Sequence, residues 1–258
     1  MIEDEPSDVA GREGPWLGDA WGALLLACLE AGMVPGAVLE LIERDDGFLG
    51  GADAVRYFAG PDDWGTLDRL ACAEARGRIL DVGAGAGRAA LYLQETGRDA
   101  VALDVSAGAV DVCQRRGIRQ TVIGTVEDLA DAGGGPFDTF LLLGNNLGLL
   151  GSAAQAPRFL NALARLAAAD AVILGQGVDP YQTSNEVHRA YHQRNRALGR
   201  LPGQIRMRVR HQNLATPWFD YLLTAVDELR ALLDGTAWTL ERYETAGAGY
   251  LAVLHPRH

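Results

Sequence analysis

Three glycines at alternate positions, Gly83, Gly85 and Gly87, stand between a short apolar run and a predicted helix. Because glycine has no side chain, the backbone can turn sharply here and a ligand can lie close against it. Asp81 comes just before the turn, and Asp104 ends the next apolar run, 21 residues after Gly83. At that spacing a carboxylate can hold the two hydroxyls of a ribose in a Rossmann-type unit. The pattern therefore predicts a nucleotide-type cofactor site.

The order of the glycines distinguishes between two cofactors. A dinucleotide fingerprint reads Gly-x-Gly-x-x-Gly, and Arg88 stands where its third glycine belongs. A carboxylate at Asp81 would repel a pyrophosphate but suits a positively charged amino group or a sulfonium. We therefore expect S-adenosylmethionine rather than NAD. The segment 81–87 resembles motif I of the class I methyltransferases, Asp/Glu-x-Gly-x-Gly-x-Gly, and the runs 137–151, 175–181 and 215–220 resemble bacterial small-molecule-type members with unassigned acceptors.

Composition and charge restrict the function classes. The 258 residues suffice for one large domain or for one domain with an added subdomain, and the 48% of hydrophobic residues can fill a substantial core. With a net charge of −11, the chain lacks the positive footprint that binding a phosphate backbone requires, so we expect no nucleic-acid partner. The arginines between positions 194 and 210 are interpreted as solvated charges on a helix and a hairpin.

Signals for export or membrane insertion are missing from the sequence. Residues 1–14 are acidic and polar, unlike a signal peptide. No apolar run approaches the ~18 residues of a spanning helix, so we expect no membrane contact. Cys28, Cys72 and Cys113 are too few and too scattered for a disulfide framework or a zinc site, and a cytoplasmic location is the simplest expectation.

Strand and helix signals alternate from Gly77 onward, which indicates βαβ units and a parallel sheet. We expect a flexible tail over 1–14, a helical cap over 15–76 with helices at 16–31, 35–43 and 65–75, and an α/β domain over 77–258. Strands are predicted at 78–82, 100–104, 120–123, 137–143, 171–174, 238–243 and 250–254. An insertion at about 180–223 holds a polar helix, 185–198, and a hairpin, 205–211 and 218–223. The resemblance implies a Rossmann-like, seven-stranded, mostly parallel sheet that ends in an antiparallel hairpin.

In such sheets the ligand lies beyond the carboxyl ends of the strands. The family comparison implies that Asp104 binds the ribose hydroxyls and that Gly144 and Asn145 lie near the methionine portion. Many members carry Asp after the glycine that follows the third strand, where this chain has Thr125; the Val126 amide, with Glu127 or Asp128, is the expected substitute for its contact with adenine. The cofactor contacts are therefore predicted at Asp81, Gly83, Ala84, Gly85, Gly87, Arg88, Asp104, Val105, Val126, Glu127, Gly144 and Asn145. Alternatively, Asn145 and Asn146 only cap the next turn.

Residues that could contact the methyl acceptor are harder to single out. Asp179 and His188 are the candidate bases, because a positioned carboxylate or imidazole can remove a proton during the transfer. The predicted acceptor contacts are Tyr57, Asn146, Tyr181, Tyr191 and Trp218. His188 and His192 stand four residues apart on a polar helix, but no partner pattern accompanies them, and we predict no metal site.

The function that these features favour is methyl transfer from S-adenosylmethionine to an oxygen or nitrogen atom of a small molecule. A non-catalytic protein that binds the same cofactor is one alternative, because no obligatory catalytic residue marks this family. An NAD-dependent oxidoreductase and an RNA methyltransferase are weaker alternatives. A homodimer is compatible with the sequence.

Overall fold

The computed structural model describes residues 14–257, so the predicted tail, apart from Gly14, lies outside the described residues. The first part of the chain contains β1 (Trp16–Leu17), α1 (Ala20–Glu30), β2 (Leu39–Arg44), β3 (Leu49–Asp53), two short 3-10 helices (Ala54–Phe58 and Pro61–Asp63) and α2 (Thr66–Glu74). The next part contains β4 (Arg78–Val82), α3 (Arg88–Glu95), β5 (Asp99–Asp104), α4 (Ala107–Arg115), β6 (Thr121–Ile123), α5 (Val126–Asp131), β7 (Phe137–Leu142), a 3-10 helix (Asn146–Leu150), α6 (Ala156–Arg165) and β8 (Ala167–Val178).

The last part of the chain begins with a further short 3-10 helix and ends in two long strands. Its elements are Pro180–Gln182, α7 (Glu186–Ala197), β9 (Gln204–His211), β10 (Leu214–Ala215), β11 (Phe219–Leu222), α8 (Val226–Leu233), β12 (Trp238–Ala246) and β13 (Gly249–Pro256). Among residues 14–257, no helix combines the length and the apolar character needed to cross a bilayer.

The main sheet has seven strands in the order β12-β13-β8-β7-β4-β5-β6. The five strands β8, β7, β4, β5 and β6 are parallel to one another. Strand β13 is antiparallel to both β8 and β12. The expected Rossmann-like fold with a terminal antiparallel hairpin is therefore confirmed. After β4, the strands β5 and β6 are added on one side of the sheet, and the later strands β7 and β8 are added on the other. The strand order therefore reverses between β4 and β7.

Helices cover both faces of this sheet, because its central strands are apolar on both sides. Along β4, Leu80 and Val82 pack in one core with side chains of α5, α6 and α8. Ile79, on the opposite face of the same strand, packs in a second core with side chains of α2, α3 and α4. The two cores hold the carboxyl ends of β4, β5 and β7 in fixed positions, and those ends carry the candidate cofactor residues.

A second sheet of six strands joins two distant parts of the chain. Its order is β1-β10-β9-β2-β3, with β11 also paired to β9. Leu41 of β2 pairs with Arg210 of β9, and Tyr221 of β11 pairs with Ile205 of the same strand. The N-terminal segment and the insertion thus form one structure, in which β9 is central.

This second sheet corrects the expected cap. The helix predicted over 35–43 is wrong, because Leu39–Arg44 is a strand. It forms a hairpin with Leu49–Asp53, so the segment 15–76 is not purely helical. The proposed boundary near residue 77 and the insertion at about 180–223 remain predictions.

Candidate cofactor and acceptor site

The point where the strand order reverses lies between β4 and β7, and the loops that follow these strands are bonded together. The side-chain amide nitrogen of Asn146 donates to the carbonyl oxygens of Val82 and Gly83, at 2.9 Å each. The Gly144 amide donates to Oε1 of Gln176 at 2.8 Å. Asn146 therefore joins the ends of β4 and β7 instead of only capping the next turn, and the two loops form the floor of one crevice.

The glycine loop adopts the conformation that its sequence predicts. Gly83, Gly85 and Gly87 have φ angles of +69°, +58° and +73°, in the left-handed region that favours glycine. A Cβ atom at Gly87 would lie 2.8 Å from the Cys113 sulfur, so this glycine allows α3 to pack closely against α4. Gly87 thus performs the packing role that a dinucleotide fingerprint assigns to its third glycine, one position later.

Arg88 follows the loop as the first residue of α3, and its side chain is directed toward α2. Its guanidinium pairs with Asp68 and lies 5.3 Å from the centroid of the Trp64 ring. The side chain therefore fastens α2 to α3. Its guanidinium also lies 4.0 Å from the position of a Cβ atom at Gly144, and the cofactor contact of Arg88 stays a prediction.

Asp104 lies at the carboxyl end of β5 and is only 6% exposed. One of its carboxylate oxygens accepts from the Gly85 amide at 2.8 Å, and the other accepts from the Ser106 amide at 2.9 Å. Burial raises the pKa of this carboxyl, against the lowering effect of the two amides. Asp104 therefore fixes the glycine loop to the end of β5, and each of its oxygens retains a lone pair for a further donor.

Asp81 is buried just before the glycine loop, at 4% exposure. It accepts from the Ala90 amide at 3.2 Å, and burial raises its pKa to about 6. The negative charge of Asp104 contributes to this increase, while the Ala90 amide and Arg88 oppose it. Two neighbouring buried carboxylates with raised pKa values suit a positively charged ligand, which would offset the cost of their burial.

Helix α1 lies across the glycine loop and is fastened beside Asp104. Asp19 caps this helix and also accepts from the Ser106 hydroxyl at 2.8 Å and the Gly108 amide at 2.9 Å. Trp21 covers Gly85: its ring lies 3.5 Å from the position of a Cβ atom there. The N-terminal segment thus closes one side of the crevice.

The residues expected beside adenine lie in different surroundings. Val105 is 67% exposed next to the buried Asp104, so its side chain is free to contact a planar base. Thr125 and Asp128 form a capping box at the start of α5. Val126 is buried, and Glu127 forms an ion pair with Arg158 at 3.3 Å. Since the side chains of Glu127 and Asp128 are engaged, the Val126 amide is the stronger candidate for the contact with adenine.

Comparisons with known proteins agree with this geometry. Residues 79–170 match the model of a methyltransferase domain. The chain is 27% identical to a SAM-dependent methyltransferase from Bacteroides fragilis, whose crystal structure is a complex with S-adenosyl-L-homocysteine; the match covers 93% of this chain and 95% of that one, with a TM-score of 0.78. The domain match and this structural neighbour support a class I S-adenosylmethionine-dependent methyltransferase family for the chain. Its cofactor is S-adenosylmethionine.

More distant methyltransferases share the fold. CcbJ from Streptomyces caelestis is 14% identical, with a TM-score of 0.56, over 76% of this chain and 94% of that one. A methyltransferase from Clostridium acetobutylicum is 10% identical, with a TM-score of 0.55, over 80% of this chain and 95% of that one. A sequence search of curated proteins finds no match.

The second sheet forms the other side of the methyltransferase crevice. Residues that pair directly across strands share a face, and on this basis Glu40, Ile42, Met207, Val209 and Tyr221 lie on its inner face. The hydroxyl of Tyr221 donates to the Asn145 carbonyl oxygen at 2.6 Å. This bond connects the second sheet directly to the loop after β7.

A hydrogen-bonded cluster lies on the same face. Tyr57 donates to Glu40 at 2.8 Å, Arg56 donates to both, and the Tyr57 ring meets Trp21 edge to face at 4.7 Å. Tyr57 was predicted from the sequence, whereas Trp21, Glu40, Arg56 and Tyr221 were not. Only the pairing of β2 with β9 places these residues together, and no local pattern reveals that pairing.

Trp218 was expected in the acceptor pocket but lies on the outer face of the second sheet. Its ring lies 4.7 Å beneath the guanidinium of Arg208, which pairs with Glu43 on that outer face. Successive residues of a strand point to opposite faces, so Trp218 and Tyr221 lie on opposite sides. The prediction selected the right strand and the wrong face.

Tyr191 and Tyr181 fasten elements of the protein to each other. The Tyr191 hydroxyl donates to Asp45 at 2.6 Å and accepts from the Arg206 amide at 3.1 Å, in a buried position that joins α7 to the second sheet. The Tyr181 hydroxyl donates to Glu228 of α8 at 2.6 Å. Both hydroxyls are engaged by other parts of the chain.

The two predicted bases have structural partners. Asp179 accepts from the Tyr181 amide at 2.9 Å and caps the turn after β8. His188 lies 3.1 Å from the Arg44 guanidinium and 5.0 Å from the Phe48 ring, and its pKa is lowered by burial and by Arg44. Across the described residues, no group of three His, Cys, Asp or Glu side chains is arranged to hold a metal ion.

Proposed function

We propose that the protein transfers a methyl group from S-adenosylmethionine to an oxygen or nitrogen atom of a small molecule. The observation that carries this proposal is the crevice between the glycine loop and the inner face of the second sheet. The bond from Tyr221 to Asn145 and the contact of Trp21 with Gly85 close it at two places. Such a closed space fits a compact acceptor better than a polymer.

We assign the cofactor contacts to residues at the floor of this crevice. Asp104 would accept from the ribose hydroxyls with its remaining lone pairs, and Asp81 would pair with the amino group of the methionine portion. Val105 and the Val126 amide would contact the base. The backbone of Gly83–Gly87, of Gly144 and of Asn145 would contact the part of the cofactor between the amino group and the ribose. When bound, the cofactor supplies a methyl group on a positively charged sulfur, which is already a strong electrophile.

The protein must align the acceptor with the methyl group, exclude water and remove a proton from the acceptor. We assign the acceptor contacts to Tyr57 and Tyr221, with Asn146 supporting the floor. The segment 15–76 and the insertion at about 180–223 would together roof the acceptor, while the domain from 77 onward would hold the cofactor.

The charge distribution supports a small acceptor rather than a nucleic acid. The net charge is −11, and arginines of the second sheet and α7 pair with carboxylates: Arg194 with Asp45, Arg206 with Asp220, and Arg208 and Arg210 with Glu43. Neutralised arginines give little attraction for phosphates. We keep the cytoplasm as the proposed compartment, which agrees with three free, buried cysteines.

Calorimetric titration tests the cofactor part of the proposal. S-Adenosylmethionine and S-adenosylhomocysteine should bind the wild-type protein and lose affinity for Asp104→Ala. Asp99→Ala, at the other end of the same strand, is the matched control and should bind normally. Small hydroxyl and amine compounds should then be screened for methylated products by mass spectrometry. A folded protein that binds neither cofactor form would overturn the proposal.

A further inference from the structure

A buried carboxylate lies behind the roof of the crevice. Glu40 of β2 is 3% exposed. Its Oε1 accepts from the Tyr57 hydroxyl at 2.8 Å, and its Oε2 accepts from the Arg56 guanidinium. The same guanidinium nitrogen lies 2.6 Å from the Tyr57 oxygen. A phenol oxygen has one donor hydrogen and two lone pairs, so Tyr57 keeps one lone pair after these two bonds.

Tyr57 stands between this carboxylate and the cofactor loop. The indole of Trp21 contacts the Tyr57 ring, at 4.7 Å between centroids, and also covers Gly85, where it lies 3.5 Å from the position of a Cβ atom. On the other side, Tyr221 bonds to Asn145, and the charges of Glu40 and Arg56 influence its pKa. The Tyr57 ring therefore links the Glu40 carboxylate to Trp21, the residue that covers the glycine loop.

Burial makes Glu40 a stronger base than an exposed glutamate. It raises the pKa of this carboxyl, and the opposing effects of Arg56 and Tyr57 do not cancel the increase. Because burial disfavours the charged carboxylate, taking up a proton relieves part of that cost. Arg56 stays charged beside it, so a positive charge remains at the cluster after Glu40 becomes neutral.

We propose that Tyr57 takes the proton of the acceptor while passing its own proton to Glu40, and that the acceptor is an aromatic compound with a hydroxyl group. This inference rests on the proposed function. The acceptor oxygen forms a bond to the methyl carbon, and the carbon–sulfur bond breaks with its electron pair left on sulfur. The acceptor proton moves to the Tyr57 oxygen, and the Tyr57 proton moves to Oε1 of Glu40. The positive charge of the sulfonium and the negative charge of Glu40 are both lost, so charge balances.

The aromatic lining supports this acceptor class. Trp21, Tyr57 and Tyr221 present flat rings around the crevice, and such rings pack well against another ring. A neutral phenol is a weak nucleophile that gains from losing its proton as it attacks, whereas a phenolate needs no base. The requirement for Glu40 should therefore depend on the ionisation of the acceptor.

Other ionisable groups surround Glu40. Arg56 and Tyr57 contact it from the 3-10 helix Ala54–Phe58, and Tyr221 faces it from β11. On β9, Arg210 pairs with Leu41, so the next residue, His211, lies opposite Glu40. Burial lowers the pKa of His211. On β3, Asp53 caps the 3-10 helix. Of these groups, Glu40 is the acid that accepts from the Tyr57 hydroxyl and whose pKa is raised by burial, so it should govern the fall of the rate at low pH.

The test compares phenol with 4-nitrophenol at about pH 9, where a simple phenol is mostly neutral and the nitro compound is ionised. The formation of S-adenosylhomocysteine is measured at saturating cofactor for wild type, Glu40→Gln and Tyr57→Phe. Both variants should lose about 10²–10⁴-fold in rate with phenol. With 4-nitrophenol they should lose less than about tenfold, because no proton has to be removed. A purely structural role would lower both rates equally.

Controls and the pH profile complete the design. Glu43→Gln lies on the outer face of the same strand, and Tyr243→Phe lies on β12; both should behave as wild type. The wild-type rate with phenol should fall as the pH drops and Glu40 becomes protonated, and the Glu40→Gln rate should not. Cofactor affinity, measured by calorimetry, shows whether each variant is folded.

Each contrary result has its own meaning. Equal losses with both phenols, or no loss, would overturn the proton relay and leave the proposed function intact. A wild-type protein that binds cofactor but methylates neither phenol would overturn the proposed acceptor class. A folded wild-type protein that binds no cofactor would overturn the proposed function itself.

Discussion

Replacing Asp104 with alanine should weaken both the fold and the binding of the cofactor, and the structure gives a magnitude for each effect. The carboxylate accepts from two backbone amides, those of Gly85 and Ser106, at 2.8 and 2.9 Å. Leaving a buried donor without a partner costs about 1–3 kcal/mol, so the two together cost about 2–6 kcal/mol. Removing a buried charge returns part of this, because burial raises the pKa of Asp104. We expect a net loss of about 2–4 kcal/mol, or roughly 5–15 °C in Tm.

The loss of cofactor affinity has a separate origin. Two hydrogen bonds from ribose hydroxyls to a carboxylate are worth about 1.5–3 kcal/mol each. Their removal should raise the Kd by about 10²–10⁴-fold, since about 1.4 kcal/mol corresponds to a factor of ten. Asp104→Asn separates the two effects. Its amide oxygen can still accept from one backbone amide, so Tm should fall less, whereas affinity should fall almost as far.

Thermal unfolding and calorimetric titration with S-adenosylhomocysteine measure the two quantities on the same samples. Asp99→Ala is the control, because Asp99 lies on the same strand and is exposed. An Asp104→Ala protein whose Tm stays within about 1 °C of wild type would show that the two amides are satisfied without this carboxylate. Wild-type affinity in the same variant would remove Asp104 from the cofactor site.

Three further predictions concern charge, packing and a buried hydroxyl. Burial raises the pKa of Asp81 to about 6, so protonation below that pH should weaken the affinity for both cofactor forms by up to about tenfold per pH unit; calorimetry on Asp81→Asn should show a flat pH dependence. Gly22→Ala should cost about 1–3 kcal/mol in urea unfolding, because its Cβ would lie 2.6 Å from the Gly108 Cα, whereas Gly60→Ala, with open space around it, should cost almost nothing. Tyr191→Phe should lower the unfolding free energy by about 1–3 kcal/mol without changing cofactor affinity in calorimetry, since its hydroxyl joins Asp45 to the Arg206 amide; an altered affinity would instead assign it to the site.

The main sheet could be predicted because local signals and tertiary structure agree there. The strand predicted at 78–82 is present with the same bounds, and Ser106 caps α4, the helix that follows the second predicted strand. Strands that are buried on both faces read as continuous apolar runs, and glycines and capping residues mark the helix ends. The strand predicted at 171–174 is longer, Ala167–Val178, because pairing with β7 and β13 extends it.

The segment 35–43 was misassigned as a helix because its pairing partner is far away in sequence. Leu39–Arg44 reads Leu-Glu-Leu-Ile-Glu-Arg, which fits a short helix as well as a strand. It is a strand because it pairs with β3 and with β9, about 165 residues later. One local signal was available: Asp46-Gly47, with φ of +87° at the glycine, is typical of a hairpin turn.

In the candidate site, too, the residues that stand in a local sequence motif could be predicted and the others could not. Asp81 and Asp104 could be predicted, because each stands at the end of an apolar strand in a recognisable motif. Glu40 and Arg56 could not, because an isolated acid and an isolated arginine carry no pattern. The strand β11 was predicted, but the register with β9 decides which of its faces is the inner one. A shift of one residue would turn the face of Tyr221 outward and the face of Trp218 inward.

The second sheet explains why the acceptor side depends on two segments at once. A two-stranded hairpin such as β2–β3 is marginally stable alone. Paired through β9, the two segments form a six-stranded sheet whose inner face carries Glu40 from one segment and Tyr221 from the other. The cofactor carboxylates lie on the main sheet, outside this arrangement. Substitutions on the inner face of β9 should therefore alter which acceptor is used and leave cofactor binding nearly unchanged, because β9 belongs to the sheet that supports the acceptor side and not to the sheet that carries the cofactor carboxylates.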